Sequence, residues 1–205
     1  MESSCAKGSI VVGAVVSLRH LRSSGRIADE QLAARLSRAA LELLEQKIEI
    51  GRWYPMRAFA ELVEFEWDVI AGRDPEYARA SGAKGARRLF ASRRYQQLDF
   101  AQRAGKVYSR KQLIRQARLI TTVIGTFYDF LSVRVALESE GLVIIYGNAL
   151  AFRDPLIHTT VGFKNQINVR QGSKARWSGK RTQPDQVCFS MPLPKRLSES
   201  ETASD

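Results

Sequence analysis

The stretch Gly51-Arg52-Trp53-Tyr54-Pro55-Met56-Arg57-Ala58-Phe59-Ala60-Glu61-Leu62-Val63-Glu64-Phe65-Glu66-Trp67-Asp68-Val69-Ile70 decides the fold, and two of the three tryptophans fall in it. Trp53-Tyr54-Pro55 reads as a lead-in turn, because proline fixes φ and suits the first position of a helix. Behind it Met56, Phe59, Val63, Trp67 and Ile70 recur at helical spacing and form one broad apolar face. Side chains of this size bury a great deal of area. A helix here is therefore expected to be the pillar against which the rest of the chain packs.

Upstream, Lys7-Gly8-Ser9 leads into residues 10–16, a β-branched and small run that predicts a short strand or buried extended segment. That run is too short for a membrane span. After Ser23-Ser24-Gly25, Asp29 is expected to cap a helix carrying Leu32, Leu36, Ala39 and Leu43. Downstream, Gly72 ends the pillar helix and Asp74-Pro75 starts the next one. Gly82 and Gly85 on that helix would let another backbone come close. They are no phosphate loop, since no Gly-Lys-Ser/Thr follows. Residues 93–103 read as helical, and Ser109 as the cap of an amphipathic helix reaching Ile124.

From Gly125 the period changes to alternation. Phe127, Asp129, Leu131, Val133, Val135 and Leu137 predict one strand, and residues 142–146 its hairpin partner. Asp154-Pro155 opens a helix with Leu156, Thr160, Phe163 and Ile167 on one side. Residues 175–181 and 186–191 predict a second hairpin, turning at Pro184-Asp185. The expected fold class is α+β: a helical lobe packed on a β-β-α-β-β unit with a mainly antiparallel sheet. One domain over residues 1–197 is expected, followed by a disordered acidic tail, 198–205.

The hydrophobic content is 44%, enough for a core, and the net charge is +11. Residues 84–118 hold eleven Lys/Arg against one acid, Asp99, and residues 164–181 hold six and no acid. Such asymmetry suits an anionic partner or a solvated arginine-rich face. A nucleic-acid surface would use Arg87, Arg88, Arg93, Arg94, Lys106, Arg110, Lys111 and Arg115. The interleaved aromatics that single strands need are thin there: Phe90, Tyr95, Phe100 and Tyr108. Cys5 and Cys188 form no ligand cluster, and a reducing, cytoplasmic setting is expected.

The order of elements resembles the superfamily of heme-NO-binding domains, 4-vinyl reductase domains and small TRAPP-type tethering subunits. More closely, the chain is similar to an uncharacterised paralogous family found mainly in myxobacteria. The likeness is carried by Lys7-Gly8-Ser9, by Gly51-Arg52-Trp53-Tyr54-Pro55 with Phe59 and Leu62, and by Gly72-Arg73-Asp74-Pro75-Glu76 with Gly82. The hairpin–helix–hairpin C-terminal half completes it. This resemblance implies a binding or sensory role, often as a dimer.

Heme is the cofactor the resemblance raises, and the residues argue against it. Only His20 and His158 offer an imidazole, and neither lies in the central helical region where the heme-binding relatives carry their ligand. Those relatives hold the propionates with Tyr-x-Ser-x-Arg, whereas the nearest string here is Tyr108-Ser109-Arg110. No cofactor and no metal are expected. Gly-x-Ser-x-Gly, His-Glu-x-x-His and EF-hand loops are missing, so no enzyme is expected either. The expected function is a regulatory or sensory module binding a small apolar ligand, a protein partner, or both, with self-association or an acidic protein as partner. Trp53, Tyr54, Phe59, Trp67 and Phe127 are the expected lining residues. Nucleic-acid binding through the basic segment is the alternative.

Overall fold

The computed structural model describes residues 4–91 and 110–193. The helix expected at 93–103 and the tail at 198–205 lie outside them. The chain opens with a two-stranded clasp: β1 (Cys5–Lys7) and β2 (Trp53–Pro55) pair antiparallel, with Lys7 opposite Trp53. Gly8 follows β1 because nothing larger fits, a Cβ there falling 2.1 Å from the Glu49 carbonyl oxygen.

Residues 10–16 are not extended. They belong to the helix α1 (Gly8–Ser23), which buries Val11, Val15, Leu18 and Leu21. That spacing is helical, and it overrides the weak strand preference of the β-branched run. The next helix is also corrected, into two: α2 (Asp29–Arg35) and α3 (Arg38–Glu45). Asp29 is the first residue of α2 rather than its cap, and Ala39 is exposed while Ala40 is buried. Ser37 makes the break, its hydroxyl accepting the Ala40 N–H at 3.3 Å. Ser37→Ala is expected to cost about 1 kcal/mol, read as a lower urea midpoint with an unchanged m-value.

The pillar helix is α4 (Met56–Ala71), with Pro55 as its N-cap rather than its first residue. It touches α1, α3, α5, α7, β1 and β2. So many neighbours bury more than one stripe: Leu62 and Phe65 are as enclosed as Met56 and Phe59, while Val63 and Ile70 are only half-buried. Its carboxylates reach outward to those neighbours. Glu61 accepts the Ser37 N–H at 3.1 Å, and Glu66 accepts from Ser17 at 2.8 Å and Tyr77 at 2.7 Å. Asp68 pairs with Arg35, and Glu64 with Arg153 at 3.1 Å. Pairs this exposed add little energy each; they set how the helices sit. Gly72 ends α4 at φ 55°, the left-handed cap expected of glycine.

Helix α5 (Pro75–Ala91) starts as predicted, with Asp74 Oδ1 accepting the Glu76 N–H at 2.9 Å. It lies against α7 (Asp154–Arg170) with backbones touching. Helix α6 (Arg110–Gly125) turns Leu113, Ala117, Ile120, Val123 and Ile124 inward. Thr126 to Leu131 do not extend the first strand. Phe127 closes α6, and exposed Asp129 accepts the Cys5 N–H at 2.6 Å, tying down the chain start. The sheet then follows: β3 (Ser132–Leu137), β4 (Gly141–Gly147), β5 (Ser178–Gln183) and β6 (Gln186–Pro192), in the antiparallel order β3-β4-β6-β5. Tyr146 pairs with Val187 and Ile144 with Phe189 on the buried face, which α7 covers. Ile145 and Cys188 pair on the outer face, where Cys188 is only half-buried.

Candidate functional site

A surface concavity of about 590 Å³ lies where α4 meets the loop from β4 to α7, larger than a second one on the outer sheet face. Its volume is in the range of small-molecule sites. Arg57, Ala60 and Glu64 project from α4; Asn148, Leu150, Ala151 and Arg153 come from the loop; Ser4, Asp154, Arg181 and Pro184 complete the rim. The loop reverses at Asn148, whose φ of 57° is a conformation that asparagine tolerates. Arg181 then sews it in place. Its guanidinium donates to the carbonyls of Ala149 at 3.3 Å and Pro184 at 2.7 Å, and to that of Phe152.

The two remaining arginines are less committed. Arg57 is 87% exposed and only approaches Glu61 at 3.4 Å, while Arg153 is 47% exposed and spans to Glu64. Leu150 stands 72% exposed beside them. Each arginine has a carboxylate within 4 Å, Arg57 with Glu61, Arg153 with Glu64 and Arg181 with Asp154, and Ala60, Ala151 and Pro184 add apolar surface beside these pairs. Such a surface can hold a molecule with an acidic end and an apolar body. The second concavity, about 510 Å³, lies on the outer sheet face around Val143, Ile145 and Cys188.

None of the five expected lining residues borders either concavity. Trp53 is 42% exposed, with the Lys7 ammonium 4.3 Å from its ring centre. It is a surface group of the clasp, because strand pairing turns it outward and Tyr54 inward. Tyr54, Phe59, Trp67 and Phe127 are buried core. The Tyr54 hydroxyl accepts the Glu49 N–H at 2.8 Å, and Trp67 Nε1 donates to the Asp74 carbonyl at 2.8 Å.

Three of the eight basic residues have described side chains: Arg87, Arg88 and Arg115. Arg87 donates to Gln166 at 2.9 Å and so fastens α5 to α7. Arg88 and Arg115 are exposed on different helices. Arg93, Arg94 and Lys106 fall outside the described residues, as do the side chains of Arg110 and Lys111, which begin α6.

Sequence reasoning passed over a buried cluster. Lys164 is fully buried beneath the sheet, its Nζ 4.8 Å from the ring centre of Trp177, 5.2 Å from Phe189 and 5.5 Å from Tyr146. Burial alone brings its pKa down to about 7. A signal was there: Ile157, Val161, Lys164, Asn168 and Gln171 recur at helical spacing, and all five are buried.

No family model and no curated protein matches the chain. Among solved structures, an Fe(II) unliganded H-NOX protein from K. algicida is similar at 14% identity and a TM-score of 0.54, over 92% of this chain and 96% of that one. A point mutant of the T. tengcongensis H-NOX is similar at 12% identity and a TM-score of 0.52, over 92% and 98%. The fold is therefore of the H-NOX kind, a mixed helical and antiparallel-sheet domain. At these identities the likeness is one of fold.

A heme does not fit the described residues. Iron needs an axial ligand in an enclosed pocket. His20 is exposed on α1. His158 lies 5.9 Å from the Trp67 ring, half-buried, and its pKa is lowered by burial and then by Arg79. Neither histidine borders a concavity. Among the described side chains the inward face of α6 carries apolar groups, and Tyr146, Phe152 and Phe189 fill the interior against the buried face of the sheet. Among the described residues no three His, Cys, Asp or Glu side chains come together to hold a metal, and no helix is long and apolar enough to cross a membrane.

Proposed function

We propose that this chain is a non-enzymatic regulatory module of the H-NOX-like fold that works without heme. It senses a small amphipathic molecule with an acidic end, and it signals through a protein partner or a second copy. The finer kinship, with the 4-vinyl reductase and tethering-subunit branches and with the myxobacterial family, belongs to the same proposal. One observation carries the reading: the Arg153–Glu64 ion pair crosses the larger concavity and joins α4 to the segment entering α7. A ligand carboxylate competing for Arg153 would take that arginine from Glu64 and loosen the helical lobe from the sheet unit. Burial of its apolar part against Ala60, Leu150 and Ala151 would supply the affinity.

Native mass spectrometry of the purified protein, with thermal-shift titrations of medium-chain fatty acids and aromatic carboxylates, tests this. A one-to-one adduct and a raised Tm are expected, with affinity about tenfold weaker in Arg153→Ala, since a charge-assisted contact is lost. An empty protein that no acid in the panel stabilises would end the proposal.

A further inference from the structure

Three polar atoms of the cluster under the sheet have no hydrogen-bond partner: Lys164 Nζ, Tyr146 Oη and Trp177 Nε1. Lys164 and Tyr146 are fully buried and Trp177 is 4% exposed. Native interiors rarely leave such groups unpaired, and each instance calls for a reason. They belong to one cluster, since Lys164 Nζ lies 5.5 Å from the ring centre of Tyr146 and 4.8 Å from that of Trp177. Gln171 Nε2, further along the same side of α7, is unpaired as well. The box thus joins one amine to several unpaired donors in a site closed to bulk water.

We propose that Lys164 is a carbon dioxide site, its amine adding to CO2 to form a carbamate held by Tyr146 Oη–H and Trp177 Nε1–H. The step balances without any oxidant or metal. The Nζ lone pair attacks the carbon of dissolved CO2, the N–C bond forms, and one C=O π pair moves onto oxygen. The nitrogen then releases one proton to solvent, leaving R–NH–COO⁻. Only an unprotonated amine can attack, and burial supplies one near neutral pH, since the Lys164 pKa falls to about 7. No charged side chain contributes to that lowering. The developing anion would meet the unpaired donors of the box. The donors offset the cost of holding it out of water. This site is distinct from the arginine-lined concavity and stands whether or not that concavity binds an acid.

The test is carbon-13 NMR of the whole protein equilibrated with [13C]bicarbonate, paired with alkyl trapping of carbamate and peptide mass spectrometry. One carbamate resonance is expected, with the trapped mass on Lys164, and both should vanish in Lys164→Met. Trp177→Phe, which keeps a ring in the wall and removes the donor, should weaken CO2 uptake about tenfold. Circular dichroism confirms that each variant is folded. No carbamate on the folded wild-type protein, or a resonance that survives in Lys164→Met, overturns the assignment.

Discussion

Lys164→Met should raise the Tm of the protein in CO2-free buffer, an unusual outcome for a substitution at a fully buried site. Methionine matches the length and bulk of the lysine stem and fills the same box with polarizable, uncharged atoms. What it removes is a penalty. Burial moves the Lys164 pKa from 10.5 to about 7, a displacement on the order of 5 kcal/mol against the charged form. Between those two pH values the unfolded chain holds a proton that the folded chain lacks, so the wild-type protein gains stability as pH rises through that window. Below about pH 7 both states are protonated and the penalty is fully present. The advantage of Lys164→Met should therefore be greatest at pH 7 and below, and it should shrink steadily toward pH 10. Urea titrations of both proteins across that range measure it. A variant less stable than wild type at pH 6 would mean that the aromatic rings hold the ammonium well enough to offset its desolvation.

Much of the fold was legible because it was written in long periodic runs. The pillar helix, the late hairpins and the helix between them all follow from spacing and punctuation, down to Gly72 at a left-handed cap. The errors have physical causes. Residues 10–16 carry strand-forming types at helical spacing, and the spacing prevailed. Ser37 capped a helix in the middle of what read as one continuous run. The site was far less legible. Large aromatics in a sequence read as the walls of a ligand pocket, whereas Tyr54, Phe59, Trp67 and Phe127 are buried in the core and Trp53 is exposed. Which aromatic lines a cavity depends on how elements meet across long sequence distances, and periodicity carries no such information. The same holds for the concavity, whose wall joins Arg57 to Arg153 and Arg181. Lys164 was counted into a basic run, because charge tallies ignore the face on which a residue falls.

Gly82→Ala is expected to destabilise the protein by about 3 kcal/mol, a large effect for one methyl group. A Cβ at Gly82 would lie 1.8 Å from the carbonyl oxygen of Thr159 and 2.9 Å from the Phe163 nitrogen. The obstacle is helical backbone, which cannot rotate away as a side chain can. The contact is reciprocal, since a Cβ at Gly162 would fall 1.9 Å from the Arg79 carbonyl oxygen. Each glycine thus receives the other helix's backbone, and α5 must separate from α7 to admit a methyl at either. Gly85 provides the control. Nothing lies within 4 Å of a Cβ there, so Gly85→Ala should stabilise by about 0.5–1 kcal/mol through helix preference alone. Gly82 is consequently spent inside the fold and offers no surface to a second copy. Because Phe163 directly precedes Lys164 on α7, forcing the helices apart also shifts the aromatic box. Gly82→Ala should lose carbamate formation together with stability, while Gly85→Ala keeps both. Urea midpoints for the two variants decide the point: equal stability at both positions would show that α5 and α7 do not meet at Gly82.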